Sequence, residues 1–274
     1  MVEKKIGSLT VLFFESLLKH KVIKHFISTR TGGVSKFPYL SLNLGLHVKD
    51  NPEHVRNNRT CLAKAIGIPL NQFTTARQIH SGNVSIISEE MRGKGSIHHQ
   101  EGIKDTDAMI TNVPDICLMV LVADCMPMLF FDPSRRVIGV AHAGWRGALQ
   151  YIAFNTVKTM EKAFSSSPRD IIVGIGPSIG PCCYKVGPGL IAQVEEVFHR
   201  KNEYIRNESK DGEVYFDLWK ANLDQLLHAG IERDNIEIAE LCTRHNPDLF
   251  FSYRHQREDT GRFGVGIAIE KVYQ

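Results

Sequence analysis

Eight consecutive apolar residues, Ile116 to Ala123, constrain this chain more than any other stretch. A run of that kind, with no polar alternation, is what a strand buried on both faces requires. It falls far short of the ~20 residues that cross a bilayer. Phe131-Asp132-Pro133-Ser134-Arg135 then reads as turn chemistry, and Val137 to Ala141 is a second apolar run. The two runs are expected to form a hairpin, or at least neighbouring strands.

The remaining pattern alternates strands with helices. Thr10 to Phe14 and Val22 to Ser28 read as strands, and Thr31-Gly32-Gly33 as a turn. Asp50 and Asn51 ahead of Pro52 suit a cap and first turn, with a helix running to about Ile66 and ending at Gly67. Leu149, Ile152, Ala153, Val157, Met160 and Phe164 form one apolar stripe of a single helix. Ile171 to Ile175 is a strand, Leu190 to Phe198 an amphipathic helix after Pro188, and Asp217 caps a helix ending at Gly230. Ile236 to Leu241, Leu249 to Tyr253 and Phe263 to Ile269 return to strands. Alternation without strict βαβ spacing, plus a hairpin, specifies an α+β fold with mixed sheets. Ser165-Ser166-Ser167-Pro168 reads as a helix end and turn rather than a linker, so residues 1–274 form one domain.

Lys plus Arg number 33 against 30 Asp plus Glu, which excludes a strongly basic nucleic-acid binder and an acidic tail protein. The N-terminal Met1-Val2-Glu3-Lys4-Lys5-Ile6 lacks the apolar segment of a secretory signal. Six cysteines are too sparse for a disulfide scaffold and read as reduced thiols in a cytoplasm, with no membrane association. No protein partner is implied.

Two motifs fail on context. Gly176-Pro177-Ser178-Ile179-Gly180 matches the nucleophile elbow G-x-S-x-G, but Pro181-Cys182-Cys183-Tyr184 and Gly187-Pro188-Gly189 follow where a helix must open. His99-Gln100-Glu101 supplies half of a zinc deaminase signature, yet position 185 is a lysine where the second cysteine must stand. His98 and His99 fall in a polar stretch, Arg92 to Asp107, expected to be a loop with solvated histidines.

Three residues sit where a scaffold projects side chains into a cleft. His80 lies at a strand end or bend, Cys125 directly follows the run 116–123 with Asp124 beside it, and His142 ends the run 137–141. Two imidazoles and a thiolate suit Zn²⁺, and Cu accepts the same donors. A catalytic zinc site keeps three protein ligands and one open position, where a water is acidified to a pKa of about 7. Gaps of 45 and 17 residues match no local ligand motif, so a core cysteine with two hydrogen-bonded histidines reads equally well from spacing.

Arg77-Gln78-Ile79-His80-Ser81-Gly82, Val122-Ala123-Asp124-Cys125-Met126-Pro127 and His142-Ala143-Gly144-Trp145-Arg146-Gly147 resemble the laccase-domain, or multicopper polyphenol oxidase, family. Bacterial members of that family are described as purine nucleoside phosphorylase and adenosine deaminase enzymes. Ser28 to Ser35, Ser41 to Gly45, Ile175 to Gly180 and Ser252-Tyr253-Arg254 extend the resemblance over nearly the whole chain. It implies a layered α/β/β/α arrangement and zinc held by His80, Cys125 and His142. It also implies phosphorolysis of adenosine, inosine, guanosine and methylthioadenosine with inorganic phosphate, and hydrolytic deamination of adenosine. A multicopper oxidase needs recurring H-x-H pairs, and the chain contains none, which makes polyphenol oxidation the poorer reading.

Within that reading Asp124 is the first candidate for proton transfer, or else a carboxylate that stabilises the turn; His80 is an acid/base alternative without metal. Arg146, in a Gly-flanked strand-to-helix turn, is the first candidate for phosphate, with Arg59 and Asn43 behind it. A competing reading is a metal-free cysteine hydrolase or amide-editing enzyme with Cys125 as nucleophile and His142 as base. A non-catalytic metal-binding protein is a third.

Overall fold

The computed structural model describes residues 1–199, 201–207 and 212–271. Its strands, in chain order, begin with β1 (Val2–Ile6), β2 (Leu9–Phe13), β3 (Ile23–Ser28), β4 (Phe73–Thr75), β5 (Val84–Ile86), β6 (Ala108–Thr111) and β7 (Cys117–Val122). There follow β8 (Met126–Asp132), β9 (Val137–Ala143), β10 (Ile172–Ile175), β11 (Ile205–Asn207), β12 (Val214–Phe216), β13 (Ile236–Ile238) and β14 (Phe263–Ile269). The helices are α1 (Glu15–Leu18), α2 (Pro52–Ile66), α3 (Trp145–Leu149), α4 (Ile152–Phe164), α5 (Pro188–Phe198), α6 (Lys201–Tyr204), α7 (Leu218–His228) and α8 (Tyr253–Gln256).

Two six-stranded mixed sheets carry the fold, in the orders β1-β2-β3-β14-β7-β4 and β13-β10-β8-β9-β6-β5. The period-2 alternation of each central strand decides what covers each face. In β7, Leu118, Val120 and Val122 point between the sheets, where they meet Leu129 and Phe131 of β8 and Ile138 and Val140 of β9. The alternate residues Cys117, Met119 and Leu121 pack with Leu62 and Ala63 of α2 on the outer face. On the second sheet, Met128, Phe130, Val137 and Ala141 face out toward Ile152, Val157 and Met160 of α4 and Leu226 of α7. The order helix, sheet, sheet, helix is the layered α+β arrangement that the resemblance implied. The unbroken apolar run of β7 follows directly from it, because both of its faces are covered.

The expected pairing of β7 with β9 is corrected. β9 pairs with β8 in antiparallel register, Met126 opposite Ala143 through Asp132 opposite Val137, and β7 belongs to the other sheet. The chain changes sheets across Ala123-Asp124-Cys125. Asp124 makes the turn in the left-handed region, at φ 83°. The turn chemistry near Pro133 holds: Asp132 Oδ1 accepts from the amides of Ser134 and Arg135.

Helix ends follow their side chains. Asn51 accepts from the Glu53 amide and Gly67 closes α2 at φ 65°, while Asp217 accepts from the Lys220 amide to start α7. The single helix expected from Leu149 to Phe164 is two, α3 and α4, broken where Tyr151 adopts φ 59°. Leu249 to Tyr253 is not a strand: the amides of Leu249 and Phe250 both bond to the Asn246 carbonyl, which curls the segment although Phe250 and Phe251 are buried. Gly187-Pro188-Gly189 does open a helix, α5, with Gly187 as its cap. That helix starts too late to make Ser178 a nucleophile; Ser178 is buried and accepts from Trp219 Nε1.

Candidate metal centre

Three chain segments meet at the end of the sandwich where the sheets exchange the chain. Cys125 ends the sheet-changing turn directly before β8, and His142 lies near the end of β9, opposite Pro127. His80 comes from the segment after β4. Gln78 holds that segment by donating Nε2–H to the Leu121 carbonyl and accepting the Leu121 amide at Oε1, both at 2.9 Å. His80 itself sits at φ 64°. A non-glycine residue in that region costs roughly 1–2 kcal/mol and persists only where its surroundings impose it.

Those surroundings are Asp107. Its carboxylate accepts the amides of Ile79, His80 and Ser81 and the Ser81 hydroxyl, at 2.7 to 3.2 Å. The same carboxylate lies 2.9 Å from His142 Nδ1. A carboxylate only accepts, so Nδ1 carries the proton and Nε2 is left for the site. Burial opposes the charge on Asp107, but His142 and Ser81 outweigh it and hold its pKa at about 2. One buried side chain thus shapes the loop of one imidazole and orients the other.

The donor atoms of His80, Cys125 and His142 lie within 4.8 Å of one another, and the two rings meet edge to face. Burial resists ionisation of the Cys125 thiol, yet the charge and hydrogen bond of His142, with a bond from His80, bring its pKa down to about 6. His142 responds in kind: burial disfavours its charge, but Cys125 and Asp107 raise it to about 9. Cys117, buried without such partners, is shifted the opposite way. The three donors therefore offer one sulfur biased toward the thiolate and two imidazole nitrogens, all close together. That fits Zn²⁺, and Cu as well.

Gly144 enforces the convergence. A Cβ there would stand 2.9 Å from His80 Cδ2 and 3.0 Å from Cys125 Sγ. Its backbone is ordinary and extended, so glycine is required here for space.

The three residues line a cavity of about 870 Å³ whose wall also carries Asp124, Trp145, Arg146, Tyr184 and Arg254. Asp124 uses both oxygens: Oδ1 accepts from Thr243 Oγ1 and Oδ2 from the Arg254 amide, each at 2.6 Å. Arg146 rests on the Trp145 ring, 4.2 Å from its centroid. Arg59 and Asn43 lie behind the wall. The buried Arg59 guanidinium donates to the carbonyls of Leu44, Gly95 and Ser96, and Asn43 donates to Asp50 while accepting the amides of Gly45 and Arg262. Arg262 does reach the cavity.

Sequence reasoning missed Asp107, His47, Arg262 and the part played by His99. His99 is not a solvated loop histidine: it lines the cavity and packs against His47 at 5.2 Å between ring centroids. Burial, then Arg262 and His99, push His47 down to about 3, so it is a neutral ring. The Pro52 helix that supplies Arg59 was legible, but nothing local marked which loops fold over it.

Known proteins resemble this chain over most of its length. The family model described as multi-copper polyphenol oxidoreductase laccase matches residues 24–270. A relative named purine nucleoside phosphorylase YlmD, from Geobacillus stearothermophilus, is 36% identical over 236 residues, 86% of each chain. Another, named adenosine deaminase RL5, from an unknown prokaryotic organism, is 30% identical over 245 residues, covering 89% of this chain and 93% of its own. The crystal structure of Bacillus licheniformis hypothetical protein YfiH superposes with a TM-score of 0.89 at 34% identity, covering 96% of this chain and 97% of that one.

Proposed function

The chain belongs to the multi-copper polyphenol oxidoreductase laccase family, and from that premise we propose that it is a zinc-dependent purine nucleoside enzyme of the cytoplasm. It phosphorolyses adenosine, inosine, guanosine and methylthioadenosine, and it deaminates adenosine hydrolytically. The observation that carries the reading is the meeting of His80, Cys125 and His142 at the wall of a cavity large enough for a nucleoside. Relatives named for both reactions support the substrate class. His80, Cys125 and His142 would hold the zinc, which would supply Lewis acidity at the cavity wall.

The chain's own residues divide the remaining work. In phosphorolysis a phosphate oxygen bonds to ribose C1′ as the bond to the base breaks; the base takes the electron pair and a proton. Arg146 is the phosphate-binding candidate, a guanidinium on the cavity wall braced against Trp145. Arg59 and Asn43 act one step back. Arg59 ties Gly95 and Ser96 to the loop at Leu44, while Asn43 anchors the backbone from which Arg262 enters the cavity. In deamination water adds at purine C6 and ammonia departs with a proton. Asp124 is the proton-transfer candidate on the wall. The neutral ring of His47, paired with His99, offers flat, hydrogen-bonding surface to the nucleoside.

A second reading, a metal-free cysteine hydrolase acting on amides, is favoured by the Cys125 sulfur beside His142, which lowers the pKa of the thiol. Metal content and product analysis separate the two. Adenosine incubated with purified protein should give inosine in water and adenine only when phosphate is added, and Cys125→Ala should lose the metal and both products together. Activity retained by a metal-free Cys125→Ala protein would refute the zinc reading. Activity that survives chelation and vanishes on alkylation would favour the cysteine hydrolase.

A further inference from the structure

A second cluster of soft donors lies outside the centre just described. Cys182 and Cys183 follow the loop after β10, and Cys242 and His245 belong to the loop after β13. One ligand atom from each lies within 4.8 Å of the others. We propose that these four residues form a structural Zn²⁺ site of the Cys₃His type.

Several independent features of the cluster point to a bound cation. Cys183 Sγ is 3.2 Å from His245 Nε2 and Cys182 Sγ is 3.6 Å from His245 Nδ1, so the imidazole lies against both vicinal sulfurs with a nitrogen in reach of each. The Gly180 amide donates to Cys242 Sγ at 3.3 Å. An N–H aimed at sulfur stabilises a thiolate, and a buried thiol has little use for it. Arg244 Nη1 stands 3.6 Å from Cys183 Sγ. Three thiolates and Zn²⁺ leave one net negative charge, which that guanidinium offsets. Gly180 also repeats the device seen at Gly144: a Cβ there would lie 3.1 Å from Cys182 Sγ and 3.3 Å from Cys242 Cβ.

The donor set selects the ion. Three sulfurs and one nitrogen complete a tetrahedron with no open position, the arrangement of structural rather than catalytic zinc. Cys183 and Cys242 are buried while Cys182 and His245 are exposed, so the ion has a path from solvent. A disulfide would leave His245 and Arg244 without a purpose and needs an oxidant.

The site staples two loops that frame the catalytic cavity. Ile179 and Tyr184, which flank Gly180 to Cys183, line that cavity. Thr243, next to Cys242, donates to Asp124. The backbone links between the loops near this point are two, from the Ser178 amide to the Leu241 carbonyl and from the Thr243 amide to the Ser178 carbonyl. A four-ligand ion adds a far stiffer link at the place where Asp124 is held.

Zinc counting on the full chain tests this without reference to nucleoside turnover. Native mass spectrometry should find two zinc ions on the wild-type protein, one on Cys125→Ala, one on Cys242→Ala and none on the double variant. Co²⁺ added to metal-free Cys125→Ala should give intense thiolate-to-cobalt charge-transfer absorption, lost in the double variant. If Cys242→Ala does not fold, alkylation of the wild-type protein decides: Cys182, Cys183 and Cys242 should be protected by zinc and become reactive after chelation. Cys125→Ala that binds no Co²⁺, alkylation indifferent to zinc, or a disulfide joining two of the three cysteines in the freshly isolated protein would each overturn the proposal. A wild-type protein that holds one ion, still held by Cys125→Ala and lost from Cys242→Ala, would support this site while sinking the catalytic one.

Discussion

The Asp107 carboxylate stands 2.9 Å from Nδ1 of His142 and at the same time gathers the amides on either side of His80. Removing its charge loosens both imidazoles at once. Asp107→Asn is therefore expected to weaken metal binding by about 10–100-fold, the range for outer partners of metal ligands. Competition with a chromophoric chelator measures this directly, and an unchanged affinity would show that the centre assembles without Asp107.

Gly144→Ala tests space. The added methyl carbon would press on a carbon of His80 and on the sulfur of Cys125, while the φ of −79° and ψ of 177° suit alanine as well as glycine. Overpacking of this kind costs roughly 1–3 kcal/mol. Here it falls on two of the three candidate metal donors and not on the core. Metal stoichiometry and both activities should drop while the far-ultraviolet circular dichroism stays that of the wild type. A fully metallated, active Gly144→Ala protein would mean that the ligands have room to move.

What local pattern conveys and what it cannot is visible in these same residues. His80, Cys125 and His142 were legible because each terminates or follows an extended segment, and such ends project side chains rigidly. Asp107 was not, because its partners at 79–81 and 142 are far away in sequence and its own neighbours look like any polar loop. The run 116–123 announced a doubly covered strand, but alternation says nothing about which sheet a strand joins. Only the three residues Ala123-Asp124-Cys125, with Asp124 turning at positive φ, separate β7 from β8. Cys182 and Cys183 failed a zinc pattern that looks for ligands in one segment; their partners Cys242 and His245 come from another.

His25 gives the fold a pH dependence distant from the centre. Its Nε2 accepts the Phe14 amide at 2.9 Å, between the rings of Phe13 and Phe14. Burial, partly offset by Glu237, lowers its pKa from 6.5 to about 4. The folded state holds this ring neutral, so its contribution is fully present above pH 6.5. It is lost as the pH falls toward 4, because the unfolded chain takes up the proton first. The loss amounts to about 3 kcal/mol over that window. His25→Gln keeps an acceptor and removes the titration, so urea unfolding should show a shallower fall in stability between pH 6.5 and 4 than in the wild type. Parallel profiles would remove His25 from the acid response.

Asp124 remains the residue whose role most needs an experiment, because its position serves two ends. It turns the chain between the sheets, and its oxygens receive the Thr243 hydroxyl and the Arg254 amide. Asparagine satisfies the same geometry: its carbonyl oxygen can meet the Arg254 amide, and the Thr243 hydroxyl can rotate to accept from its amide nitrogen. Asp124→Asn should therefore fold and keep its metal. If the carboxyl transfers a proton in deamination, that rate falls by about 10²–10⁴. A carboxylate that only braces the turn predicts something else: asparagine makes the same two contacts, so metal and both rates stay at wild-type levels. Product analysis with metal counting on one preparation distinguishes these outcomes, and deamination at the wild-type rate would take Asp124 out of the chemistry.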